Sequence, residues 1–404
     1  MKSFLLFLIS ILIVLSSCGT NREESQVTTL NLPEAFSQRQ EVLLSRFIDK
    51  ISYVPLETKP DLVLARMARF EVTDDFIIVR NVGLGQKPQI LLFDRNTGRF
   101  IKEIGKQGRG PGEYENISFL PFNSSKNEIY AEGPSRELLV YDIYGKYIDK
   151  IKIPQWIDDK APDNHNRKTS YPDNMLDKNI FASYVLNSSG KEQRKMVLFT
   201  KEGIFKIFPN SQTYTRNDWG FSASTAGGYA KFYRWANNLY FIEIFCDTLY
   251  HVTKNELKPR YYFDCGKYKA LYSKQEEILA NRNTPEYFFI SDIDESKDYI
   301  FMQLQYNKGN YTGFIEKKTN KITFCKKDIP GISGLKDDIN GLMDVVPKDF
   351  TQNNEMVYLI QPVDLFKWFE LNPEKAIYAK TKLPWINNID ELSNPIIAIG
   401  KCKD

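Results

Sequence analysis

The densest chemical pattern in the chain is a glycine-rich run, Gly105-Lys106-Gln107-Gly108-Arg109-Gly110-Pro111-Gly112-Glu113-Tyr114. Its glycines let the backbone reach positive φ, and such a loop can aim N–H groups at an anion beside the Arg109 guanidinium. No Gly-Lys-Ser/Thr ending makes it a phosphate loop. The plainer expectation is a tight crossover in which Arg109 and Glu113 pair. Zinc is not expected, because neither His165 nor His251 has a second histidine at ligand spacing. Calcium is harder to exclude, since carboxylates need no sequence spacing when each comes from a different element. Glu71, Asp292, Asp294 and Asp344 are the candidate ligands, and Asp292 and Asp294 would share a strand face. A simple turn at 293–296 is the plainer reading there. No Gly-x-Ser-x-Gly elbow is present, and the cysteines lack an acid or histidine partner nearby in sequence.

Candidate binding residues gather instead in three long stretches, 154–175, 209–229 and 361–393, whose rings could equally fold back to cover the edges of the scaffold. The first carries Trp156 and Tyr171; the second carries Tyr214, Trp219 and Phe221 among Ser, Thr and Gly. Rigid aromatics among small polar residues on long loops suit sugar or peptide recognition. The third stretch holds Val363, Phe366, Trp368 and Phe369 at helical spacing, the pattern of a helix packed on its own domain.

Such loops need a scaffold, and composition bounds it. With 42% hydrophobic and 26% charged residues the chain is globular rather than disordered. A formal net charge of +3 gives nucleic acid no electrostatic footprint, so nucleic acid is not an expected partner. The first residues read as an address. Lys2 precedes an apolar run from Phe4 to Leu15, too short to span a bilayer as a helix but of the length of a signal-peptide core. Leu15-Ser16-Ser17-Cys18-Gly19 then resembles the lipobox of bacterial lipoproteins. That resemblance implies a signal peptide over 1–17, lipidation of Cys18, a polar tether over 18–45 and anchorage in a membrane. Gly19 stands where inner-membrane retention would need Asp, so the resemblance implies an outer-membrane location in the cell envelope. Cys246, Cys265, Cys325 and Cys402 sit in apolar contexts with no Cys-x-x-Cys pair, and are expected as buried free thiols.

The rest repeats. An apolar strand, a turn with Gly or Asn and a second strand recur around Phe93, Tyr141, Phe199, His251 and Ile315, at spacings of 48, 58, 52 and 64. These are blade-sized steps with hairpin-forming turns. Two further short strands precede most copies, and four strands per unit make a propeller blade. Strands at 356–360 and 395–399 supply a sixth unit. Residues 51–56 lack a partner nearby, and are expected to join that last blade and close the ring. The fold class is therefore all-β, a six-bladed β-propeller over 46–404.

Tyr53-Val54-Pro55-Leu56-Glu57-Thr58, the hairpin at 90–104, the glycine-rich run and Asn394-Pro395-Ile396-Ile397-Ala398-Ile399-Gly400-Lys401 together resemble six-bladed β-propeller lipoproteins of Gram-negative envelopes, kin to NHL-repeat and TolB-like propellers. The resemblance implies fold and location, and little about a reaction. The expected function is non-catalytic binding of a glycan, peptide or envelope protein at one propeller face. A metal-assisted hydrolase or lyase, with calcium in the central channel, is the alternative.

Overall fold

A computed structural model describes residues 27–403 apart from 67, 84–86, 118–121, 155–171, 217–229, 281–285 and 327–332. The described chain opens with β1 (Thr28–Asn31), α1 (Leu32–Ser37) and β2 (Ile48–Pro55). Blade one follows as β3 (Arg69–Val72), β4 (Phe76–Asn81), β5 (Gln89–Asp94) and β6 (Phe100–Glu103). Blade two is β7 (Phe122–Asn123), β8 (Glu128–Gly133), β9 (Glu137–Asp142) and β10 (Tyr147–Lys152); blade three is β11 (Asn174–Met175), β12 (Phe181–Tyr184), β13 (Arg194–Thr200) and β14 (Gly203–Pro209). Blade four is β15 (Ala230–Trp235), β16 (Asn238–Glu243), β17 (Thr248–Val252) and β18 (Leu257–Asp264), with β1 added in parallel outside β18. After α2 (Gln275–Ala280) comes blade five: β19 (Phe289–Glu295), β20 (Tyr299–Tyr306), β21 (Gly309–Glu316) and β22 (Lys321–Phe324). Blade six is β23 (Asp349–Phe350), β24 (Glu355–Ile360) and β25 (Ile396–Cys402), with β2 antiparallel to β25 as its outer strand.

The expected six-bladed, all-β propeller is the observed fold. Each of the five residues that mark the repeat is the penultimate residue of a third strand, from Phe93 in β5 to Ile315 in β21. Two of the hairpins show why the turn recurs. Asp94 Oδ1 accepts from the Asn96 and Thr97 N–H groups, and Asp142 Oδ1 from those of Tyr144 and Lys146. Gly98 and Gly145 then take the positive φ that reverses the chain. The middle strands are buried on both faces, so they read as unbroken apolar runs such as Ile90-Leu91-Leu92-Phe93. Their side chains form an apolar layer between each pair of neighbouring blades.

Two details differ from the expectation. From Thr28 onward, the stretch read as tether is packed: Leu30, Leu32, Phe36, Val42 and Leu44 are all buried between blades four, five and six. Only residues 18–26 of that stretch lie outside the described chain. Residues 361–393, read as a loop with one helix, fold into α3 (Pro362–Leu371), α4 (Pro373–Lys382) and a 3-10 turn, packed against blade six. All four cysteines beyond Cys18 are free thiols, and three of them are buried.

Antiparallel order divides the connections by face. Links from a fourth strand to the next first strand, and from a second to a third strand, emerge on one side; hairpins joining first to second and third to fourth strands emerge on the other. The hairpin side has turns of two to five residues. The blade-to-blade links on the opposite side run from 13 to 24 residues, and the insertion between β24 and β25 joins them there.

Candidate functional site

The glycine-rich loop lies on the long-link face, between β6 and β7. It is a crossover that satisfies itself. Gly108 N–H donates to Tyr114 O at 2.9 Å, Tyr114 N–H donates to Lys106 O at 2.9 Å, and Gly110 N–H donates to Glu113 Oε2 at 2.8 Å. A Cβ on Gly108 would sit 2.0 Å from that carboxylate oxygen, so the glycine is what lets Glu113 fold in. Arg109 therefore pairs not with Glu113, as expected, but with Glu115, Nε to Oε1 at 3.1 Å, and its side chain stays 87% exposed. The loop supplies its own anion; Arg109 remains available to a ligand.

Tyr214 anchors the link from blade three to blade four. Its hydroxyl donates to Asn187 O at 2.7 Å, and its ring meets Tyr272 edge-on at 6.1 Å. Asn187 Nδ2 reaches the Tyr272 hydroxyl and Gln212 O, each at 3.2 Å. Beneath them Lys195, at the start of β13, donates to Glu243 Oε2 and to Gln212 Oε1, while the Tyr184 hydroxyl donates to Glu243 Oε1 at 2.7 Å. Burial, then the adjacent Glu243 charge, push the Tyr184 hydroxyl well above its ordinary pKa, so it stays a donor. This network borders a groove of about 610 Å³ between the outer strands of blades three and four. Phe208 lines one wall, Tyr250 and Tyr262 the other, and Cys246 the long-link end. Trp156, Tyr171, Trp219 and Phe221 lie outside the described residues, as does Cys18.

Sequence reasoning missed Lys195, Glu243 and Asn187. A signal existed: Glu243 is a lone acid inside the apolar run from Leu239 to Phe245, and a charge at a buried strand position requires a partner.

The central channel is lined by the innermost strands, and three of the four proposed metal ligands are on them. Glu71 on β3 interacts electrostatically with Arg80, with Asp349 of blade six and with Arg234 of blade four. Asp292 pairs with Lys231 at 3.6 Å. Asp294 hydrogen-bonds the Asp349 carboxyl and accepts from Phe350 N–H at 2.9 Å. Asp344 does not belong with them: it follows β22 on the link to blade six, beside Gly334, and faces a cleft against Trp368 and Tyr378. Burial and then Asp349 raise Glu71 to about 8, and burial, reinforced by Asp349, raises Asp294 well above the carboxylate range. Two touching carboxyls cannot both ionise cheaply, so the pair holds a proton between them. Guanidinium and ammonium groups balance the remaining acids. Among the described residues no three His, Cys, Asp or Glu side chains converge as a metal-binding group.

The profile of a family described as "Domain of unknown function (DUF4934)" matches residues 27–401. The chain belongs to the DUF4934 family. No curated protein matches its sequence. A Bacteroides fragilis NCTC 9343 protein named "Putative exported protein" is similar in structure, with a TM-score of 0.64 and 15% identity over 94% of this chain and 100% of its own. A member of the duf4221 family from Bacteroides vulgatus ATCC 8482 gives a TM-score of 0.51 at 12% identity, over 88% of this chain and 97% of its own. At these identities the likeness is one of fold.

Proposed function

We propose that this DUF4934 protein is an exported, lipid-anchored propeller of the bacterial outer membrane that binds a glycan, peptide or partner protein on its long-link face and performs no catalysis. The observation that carries the reading is the asymmetry between faces. One side has only hairpins of two to five residues, whereas the other gathers every blade-to-blade link, the helical insertion and the exposed Arg109. The lipobox-like residues ending at Cys18 support the anchor, and the name of the Bacteroides fragilis neighbour is in keeping with export. Kinship with NHL-repeat and TolB-like propellers belongs to the same reading. A calcium-assisted hydrolase or lyase gains no support from the channel, where Glu71 and Asp292 face Arg80, Arg234 and Lys231 and Asp294 is hydrogen-bonded to Asp349.

Immobilised glycan and peptide panels test it. Arg109→Ala and Tyr214→Ala should weaken whatever binds, while Lys318→Ala, on a hairpin of the opposite face, should not. Binding that survives both long-link variants and falls with Lys318→Ala would sink the proposal.

A further inference from the structure

Two of the grooves between neighbouring blades are filled by the chain's own N-terminal segment. Between blades four and five, β1 adds to the edge of β18, pairing Thr28 with Tyr261 through to Asn31 with Asp264. Phe36 follows into the groove and lies 4.8 Å from the Tyr311 ring on β21 and 5.7 Å from the Phe324 ring on β22. Between blades five and six, Gln40 N–H donates to Phe324 O and Lys326 N–H to Gln40 O, and Phe47 packs against Tyr299, Phe301 and Phe314. The groove between blades three and four likewise lies beside an outer edge strand, and among the described residues no segment fills it. Its edge strand β14 is the last strand of its sheet, as β18 would be without β1. Tyr250 on the third strand and Tyr262 on the fourth strand of blade four line it, as Tyr311 and Phe324 on the third and fourth strands of blade five line the groove that receives Phe36. The space is about 610 Å³.

Building on the binding-propeller reading, we propose that this groove takes an extended peptide of a partner protein, added as a fifth strand along β14 with an apolar side chain set between Phe208, Tyr250 and Tyr262. Main-chain hydrogen bonds to a free edge supply affinity and the side-chain pocket supplies selectivity. Lys206 projects into the groove over Phe208, 5.8 Å from the ring centroid, and forms no ion pair among the described residues. It favours a peptide carrying a carboxylate, as Glu34 is carried two residues before Phe36.

Cys246 provides the readout, since it lines the groove while Cys265, Cys325 and Cys402 are buried. Dodecapeptides selected from a random phage-display library on the full chain are the probes. The expected result is at least tenfold slower iodoacetamide modification of Cys246 at peptide saturation, read by peptide-mapping mass spectrometry. Affinity should also fall at least tenfold in Ser211→Trp, which fills the groove mouth from an exposed position, and in Tyr250→Ala. Selected peptides that leave Cys246 unprotected and bind both variants normally, when thermal melts show both folded, overturn the groove and leave the binding face intact. A library that yields no binder also overturns it: the wider reading then survives if glycans bind, and falls with it if they do not.

Discussion

Glu295 is fully buried and carries three partners. Arg260 grips it with two nitrogens, Lys317 Nζ lies 2.8 Å from Oε1, and the Tyr233 hydroxyl donates to Oε2 at 3.0 Å. This knot ties blade four to blade five, and losing the acid strands two cations beside an apolar layer. Glu295→Ala should cost about 3–5 kcal/mol in urea denaturation, the range for breaking one side of a buried ion pair. Glu71 behaves oppositely. Its folded pKa is raised from 4.5 to about 8, so the folded state holds a proton that the unfolded chain releases. Its contribution is fully present below pH 4.5 and is lost as pH rises through 8. Asp173, raised to about 7 by burial, adds the same sign over a lower window. Melting temperature should therefore decline between about pH 5 and 9, and Glu71→Gln should flatten the upper part of that slope. An unchanged slope in the variant would remove Glu71 as its source.

At the scale of elements, legibility followed length and repetition. The hairpin of third and fourth strands was readable because an aromatic or apolar residue, a turn and a second strand recur in five blades. First strands were not: β7, β11 and β23 have two residues each, too few to show alternation. The N-terminal segment was misread because its apolar residues are spread among polar ones. Its signal was the helix start, where Asn31 Oδ1 accepts from Glu34 N–H at 3.0 Å and Pro33 occupies the first turn. Phe36→Ala should cost about 3–5 kcal/mol, the range for a large buried aromatic, and speed amide exchange in β1 and β18. If exchange in β18 were unaffected, β1 would be an ornament rather than a fifth strand. Tyr214 was found from sequence by composition; its network partners were not, because Asn187, Lys195 and Glu243 converge from separate strands and links.

For the whole molecule, three of the segments that carry the resemblance to propeller lipoproteins meet, those around Leu56, Gly98 and Asn394. Asn394 donates to Glu57 O and Leu62 O, both at 2.7 Å, and accepts from Leu64 N–H at 2.9 Å. Gly98, on the first hairpin, is so close to β2 that a Cβ would lie 2.0 Å from Pro55 O. Blades six and one are thus joined through three distant stretches, and Asn394→Ala should lower the melting temperature of the entire propeller in one cooperative step. A separate early transition would show that this junction opens on its own. The channel offers no convergent metal ligands among the described residues, so EDTA should leave the melting curve in place. A drop of several degrees would instead revive calcium at Glu71, Asp292 and Asp294.

The direction of β1 has a topographic consequence. It runs parallel to β18, from the hairpin side toward the long-link side, so Thr28 is its end nearer the hairpin side. Nine residues separate Cys18 from Thr28. Fully stretched, such a leash reaches about 30 Å. With Cys18 acylated as proposed, a leash of that reach would keep the hairpin side nearer the lipid headgroups than the opposite side. Every propeller in the leaflet would then present its capture face in the same sense, in a layer no deeper than the leash and one molecule allow. A partner would search a crowded two-dimensional array rather than a volume.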